Sequence, residues 1–300
     1  MNEKVFGRLK KRVAQWLSED TQDAVTQQLF YDAPLAFFEN LDLTNEKRVA
    51  LIDLNFSRLS HWHVVHYENG LMSDSFMQDN HLALAAKYAK AVLETNEILI
   101  RRGYDKKFDC GVLLPDAALT LSLPIIAGWK ENACSVLNTL ISGLDNPLLD
   151  LRDNSRHQKG VLYRHFWFLL QLCSDFFSRN ITIANYSYPV DMSPYAEVLK
   201  QWKTDDLDLV QCLISSMADF HIAHSRSTGH QDILEFDVES RALFPYEILA
   251  FLRIREWAGM KNPDYFDHPL MNTALAQLDI DPAPYPPSNF AETIIEDLME

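Results

Sequence analysis

Leu243-Phe244-Pro245-Tyr246-Glu247-Ile248-Leu249-Ala250-Phe251-Leu252-Arg253-Ile254-Arg255-Glu256-Trp257-Ala258-Gly259 is the stretch that decides the fold. Proline suits the first turn of a helix, where the amide it lacks would be unpaired in any case and its fixed φ is already helical, so a helix is expected to open near Phe244. From there to Ala258 the only charged residues are Glu247, Arg253, Arg255 and Glu256, too few to give a helix a solvated half. Other helices must therefore wrap it. Gly259 stands where a left-handed residue closes a helix, Asn262-Pro263-Asp264 reads as a turn, and His268-Pro269 starts a second helix, again with proline first.

The same 3.6-residue spacing recurs along the rest of the chain. Phe6, Leu9, Val13, Trp16 and Leu17 mark one face of a helix over 3–17. Val49, Ile52, Phe56, Leu59, His63 and His66 mark another over 45–67, closed by Asn69-Gly70. A third runs over 75–102 and ends at Gly103. Pro115 opens a helix that Pro124 must kink or stop, since a mid-helix proline removes a backbone bond and clashes with the preceding turn. Trp129–Ile141 then continues separately. The most apolar helix is 157–179, from Val161 and Leu162 to Phe176 and Phe177, and it is expected at the centre beside 244–258. Ile181–Val190 is β-prone but has no partner strand, Pro194 opens a helix to Trp202, and Asp205-Asp206 cap the next one. Pro282, Pro284, Pro286 and Pro287 form an extended strap, and Asn289 with Glu292 makes a capping-box start for a last helix. These features predict an all-α fold: a single compact multi-helix domain of antiparallel helix pairs with no significant sheet. Residues 1–281 form this domain, divisible near 150, and 282–300 form the strap and a short acidic helix.

Composition agrees with a globular domain: 300 residues, 47% hydrophobic and 23% charged. Cys110, Cys134, Cys173 and Cys212 are far apart among apolar neighbours and read as buried free thiols in a reducing compartment. The basic N-terminal segment (Lys4, Arg8, Lys10, Lys11, Arg12) has no apolar run after it, so it does not read as a signal peptide. With its opposite apolar face the first helix could lie on a membrane or pack on its own domain. No uncharged apolar stretch reaches the roughly 18 residues of a membrane span. The expected location is the cytoplasm.

Candidate chemistry is sparse. His61, His63, His66, His221 and His224 have spacings that can ligate metals, but a helical zinc or di-iron site wants carboxylates one turn away, as in Glu-x-x-His, and neither segment has that pattern. Phosphate loops, dinucleotide turns and nucleophile elbows are absent from the sequence. No catalytic residue, metal ligand or cofactor is assigned. Charge is the informative feature. The formal net charge is -15, and after Lys261 no Lys or Arg follows, while Asp264, Asp267, Asp279, Asp281, Glu292, Glu296, Asp297 and Glu300 do. Asp205, Asp206 and Asp208 form a second acidic group, and Asp232, Glu235, Asp237 and Glu239 a third. Nucleic-acid binding would need basic stripes instead. The acidic groups are either a solvated surface or a face for a basic protein, with 232–239 favoured because it falls on a loop before the buried helix.

The segments Leu243–Gly259 and Asp267–Leu278 resemble the C-terminal half of immunity proteins that protect bacteria from polymorphic toxins and type VI secretion effectors, in particular the immunity protein forty-nine and PoNe-immunity groups. Length and helical pattern agree over the remainder. The resemblance implies a protein that binds and neutralises a cognate toxin stoichiometrically without catalysis of its own. A basic enzyme such as a nuclease would suit the acidic bias. Two other readings stay open: a helical metal enzyme built on the histidines, and a helical adaptor.

Overall fold

A computed structural model of the chain describes residues 3–73, 79–108, 110–151, 163–225, 234–279, 281–287 and 290–300. Among them the regular structure is helical: α1 (Glu3–Asp20), α2 (Ala24–Gln27), α3 (Ala33–Glu39), α4 (Glu46–Val49), α5 (Ile52–Met72), α6 (Asp79–Arg101), α7 (Leu114–Ile126), α8 (Lys130–Gly143), α9 (Arg164–Phe176), α10 (Tyr195–Gln201), α11 (Leu207–Ala223), α12 (Tyr246–Trp257) and α13 (Phe290–Met299). A π-turn at Gln28–Asp32 fuses α2 to α3.

The expected faces are inward. On α1, Phe6, Leu9, Val13 and Leu17 are buried while the basic residues are exposed, so the face that could have met a membrane is covered by the protein itself. Among the described residues no helix is long and apolar enough to cross a membrane. Helices α5 and α6 form the most extensive pair. They run antiparallel, as shown by contacts from Asp53 to Asn96, Ser60 to Ala85 and His63 to His81. Helix α12 is enclosed by α7, α9 and α11, and Tyr246 to Arg255 are all buried. One continuous apolar core runs from Phe6 to Ala276 and includes Phe166, Trp167, Phe168 and Phe251. A smaller one joins α3, α5, α6 and α13 around Phe38, Phe56 and Tyr88, with Phe290 against them.

Several boundaries differ from expectation. Gly70 is buried inside α5, which continues to Met72 before Ser73 Oγ donates to Asn69 O. Residues 45–67 are not one helix, because Ala50 and Leu51 separate α4 from α5. The helix after His268 is two 3₁₀ turns, Pro269–Asn272 and Ala274–Ala276, interrupted where Thr273 is extended (φ -89°, ψ 158°). Ile181–Val190 holds a 3₁₀ turn and an isolated bridge, with Ser187 N donating to Leu151 O. Only Cys173 of the four thiols is buried, and Cys212 is exposed. The expected helix start at 75, the 157–162 segment with Val161 and Leu162, and the Asn289 cap lie outside the described residues.

Pro124 is accommodated two residues before the end of α7. Gly128 follows at φ +81°, where an added Cβ would lie 2.9 Å from Pro282 of the strap; glycine is needed there both for the turn and for the close approach. The strap is stitched down by Ala283 N to Ala127 O (2.9 Å) and by Trp129 Nε1 to Ala283 O (2.7 Å). Lys87 then bonds Pro287 O and Glu292, bringing α13 onto α6.

Candidate functional site

The deciding helix buries three of its four charges, and where they point defines the site. Glu247 accepts from, or donates to, His221 Nδ1 at 2.8 Å. Arg253 pairs with Glu256 and donates to Asp279 O. Arg255, fully buried, donates Nε to Asn262 Oδ1 (3.1 Å), Nη1 to Trp202 O, and Nη2 to Thr204 O (3.1 Å) and Lys261 O (2.7 Å). One guanidinium thus ties two surface loops, 202–206 and 261–265, that are far apart in sequence. A planar fork of five donors is suited to this, where a lysine ammonium is not.

Each loop is further fixed. Gly259 closes α12 at φ +77°, which lets the chain double back so that Asn262 Nδ2 donates to Leu252 O (2.9 Å). On the other side, Trp202 Nε1 donates to Asp175 Oδ2 (2.7 Å), a carboxylate that also pairs with Lys203. Asp206 is the N-cap of α11, its Oδ1 accepting from Asp208 N and Leu209 N. Gln211, one turn further, donates to Tyr265 O at 2.6 Å and closes the link between the loops.

The product is a rigid platform with an acidic, partly aromatic outer face. Asp205, Asp206, Asp208, Glu256, Asp264 and Asp267 are exposed on these elements. Tyr265 is 72% exposed and Leu207 38% exposed among them. The nearby cations are Arg253, paired with Glu256, the buried Arg255 beneath the loops, Lys203, occupied by Asp175, and exposed Lys261. Beside Tyr265 opens a cavity of about 530 Å³, lined by Glu256, Asn262, Asp264 and Phe266 among others. Such a surface can attract a cation-rich partner and offer it a side chain to bury. Exposed aromatics are the residues that usually anchor interfaces.

The favoured acidic group at 232–239 is corrected by the structure. Glu235 is buried, with Oε1 accepting from Arg164 Nε (3.1 Å) and Oε2 from His165 N (3.0 Å) and bonded to His165 Nδ1 (2.7 Å). Burial pushes its carboxyl upward, but the hydrogen bonds and charge of His165 outweigh this and hold it below the usual carboxylate range. Asp237 is exposed and Glu239 half-buried in a 3₁₀ turn. Asp232 lies outside the described residues. Glu235 is therefore an interior strut and no part of an acidic face. The C-terminal carboxylates also divide, Asp264 and Asp267 joining the platform while Glu292, Glu296 and Asp297 belong to α13.

Among the described histidines, His63, His165, His221 and His268 are buried, while His61, His66, His81 and His224 are half-buried. Phe236 is sandwiched between His165 (4.7 Å) and His221 (4.0 Å). His221 Nε2 donates to Arg241 O (3.0 Å), so a proton from Glu247 or a protonated ring must fill the Nδ1 contact. His63 Nδ1 lies 2.9 Å from His81 Nδ1, and His66 stacks on His81. No group of three or more His, Cys, Asp or Glu among the described residues is placed to hold a metal ion. Burial first, and then the neighbouring imidazoles, push His63 down to about 3 and His66 to about 4, and burial lowers His81. All three are neutral at pH 7. Since the unfolded imidazole titrates near 6.5, the unfolded chain takes up protons first as pH falls. The stabilisation is complete above about pH 6.5 and is lost as pH drops below it, at up to about 1.4 kcal/mol per pH unit for the buried His63 ring and less for the more exposed His66 and His81. Thermal unfolding between pH 7 and 4 should accordingly show a steeper loss of Tm for the wild type than for a His63→Gln/His81→Asn variant; parallel curves would show that these rings do not set acid stability.

Compared with family models, curated proteins and solved structures, the chain matches none.

Proposed function

We propose that the protein is an immunity protein that binds a cognate antibacterial toxin and neutralises it by stoichiometric protein–protein binding, without turnover of its own. The observation that carries this reading is the Arg255-clamped platform. Six exposed carboxylates (Asp205, Asp206, Asp208, Glu256, Asp264 and Asp267) and the exposed Tyr265 are presented on loops that a buried side chain holds in place. Preorganised loops lose little freedom on binding. The partner that suits them is a basic enzyme, such as a nuclease whose nucleic-acid groove is lined with Lys and Arg, met in the cytoplasm before it can act. The resemblance of Leu243–Gly259 and Asp267–Leu278 to immunity proteins supports the same reading, and Arg255, Glu256 and Asp267 of the platform lie within those segments.

Carboxylates at this surface act through long-range attraction, and Tyr265 supplies a buried contact once the partner has docked. The test is co-expression with the product of the neighbouring gene, where the toxin of an immunity protein is expected. Cells producing the wild-type chain are expected to grow, and cells producing an Asp205→Asn/Asp206→Asn/Asp208→Asn/Asp264→Asn/Tyr265→Ala variant to die. Asparagine at 206 keeps the helix cap, since Asn and Asp cap equally well, and folding of the variant is checked by thermal unfolding. Death of cells carrying the wild-type chain, or full protection by the folded variant, would refute the proposal.

A further inference from the structure

A second feature of the molecule is independent of the platform. Between α5, α6, α7 and the 3₁₀ turn Glu239–Arg241 lies a cavity of about 450 Å³, within the size range of small-molecule sites. Its walls are apolar, built by Val64, Ala89, Val92, Val112 and Leu119 with Phe30 at the side. Polar groups supplement them: Arg58, His61, Asp116 and Arg241 all line the same space.

The charges there do not cancel. Arg241 is paired with Asp116, whereas Arg58 makes no ion pair among the described residues. His61 is held down to about 4 by burial and then by the charge of Arg241, so it is neutral at pH 7 and can donate or accept but adds no charge. One positive charge is left over in a largely apolar enclosure. Arg241 is also held from behind its backbone: its carbonyl accepts from His221 Nε2 (3.0 Å), and that imidazole is fixed by Glu247 (2.8 Å). Its own Nε–H is buried without an acceptor, and a buried donor left unpaired is costly.

We propose that this cavity binds a small amphipathic carboxylate, its apolar body along Val64, Val92 and Leu119 and its carboxylate at Arg58, with Arg241 and His61 as neighbouring donors. A carboxylate matches a guanidinium fork in bidentate geometry. It also supplies acceptor oxygens for Arg58, which lines the cavity beside the hydroxyls of Ser57, Ser60, Thr120 and Ser240 but has no carboxylate partner of its own among the described residues. A phosphate dianion would need a further cradle of backbone N–H groups, and an uncharged apolar molecule would leave Arg58 desolvated beside it.

Decanoate is a suitable probe, measured by isothermal titration and by the shift in Tm of the full chain at pH 7. One molecule is expected to bind per chain and to raise Tm. Decanol, with the same body and no charge, should bind about tenfold or more weakly, as should decanoate to Arg58→Gln, because a charge-assisted hydrogen bond is lost in each case. Arg58 is only partly buried, so Arg58→Gln should unfold at the wild-type temperature when no ligand is present. Val92→Trp, which fills the cavity, should abolish binding; should that variant fail to fold, the decanol and Arg58→Gln comparisons decide alone. Absence of decanoate binding at millimolar concentration, or equal binding of decanoate and decanol, or undiminished binding by Arg58→Gln, would overturn the proposal.

Discussion

Replacing Arg255 by alanine is expected to cost about 3 to 5 kcal/mol of folding stability, the scale of removing one partner from a buried charged network. Four acceptors lose their donor at once: Trp202 O, Thr204 O, Lys261 O and Asn262 Oδ1. The fully buried side chain leaves a void where it passed between α12 and the two loops. Arg255→Lys should recover only part of the loss, because a single ammonium cannot reach acceptors spread over both loops. Urea unfolding of the two variants measures both effects. A loss below about 1 kcal/mol for the alanine variant would mean that the loops hold together without the clamp, and that their rigidity has another origin.

Trp167→Ala and Phe251→Ala are each expected to cost about 3 to 5 kcal/mol through lost burial and the cavity left behind. Both side chains are completely buried. Phe251 packs toward Phe168 at 6.5 Å, and Trp167 against Phe166, Tyr186 and Tyr188. They lie on α12 and α9, which pack on each other at the heart of the larger core. Phe251→Leu should lose much less than Phe251→Ala, since most of the volume is kept. Chemical unfolding midpoints check this; an alanine variant within about 1 kcal/mol of the wild type would move the centre of the fold elsewhere.

The helices were legible because local spacing encodes which face is wet. Phe6, Leu9, Val13 and Leu17 are buried as their period requires, and Gly103 and Gly259 close their helices at φ +75° and +77°. Where a boundary depended on tertiary contact, the local signal misled. Gly70 reads as a terminator, yet it is buried within α5. His268-Pro269 reads as a helix start, yet extended Thr273 divides the segment into two short 3₁₀ turns.

The site was half legible. Asp206 as a cap and Asp205 and Asp208 as exposed acids follow from their polar setting before an apolar run. The role of Arg255 does not, because its partners at 202 and 204 are about fifty positions away in the chain and no periodicity reports such a pairing. Glu235 shows the converse error. Counting carboxylates along a loop treats each as solvated, whereas its partners Arg164 and His165, distant in sequence, draw it into the interior. Tyr265 carried no signal beyond its place after a turn, and its exposure is a property of the clamped loop alone.

The most direct test of the proposed function is the rate at which the purified protein associates with the toxin proposed as its partner across a salt series, measured by stopped flow. For the wild type a rate constant of about 10⁸ to 10⁹ M⁻¹s⁻¹ is expected at low salt, falling steeply as salt is added. For the Asp205→Asn/Asp206→Asn/Asp208→Asn/Asp264→Asn variant, slower association at low salt and a shallower salt dependence are expected, with dissociation little changed. Identical association rates for the two proteins at every salt concentration would contradict it, and would leave the acidic platform as a solvated surface.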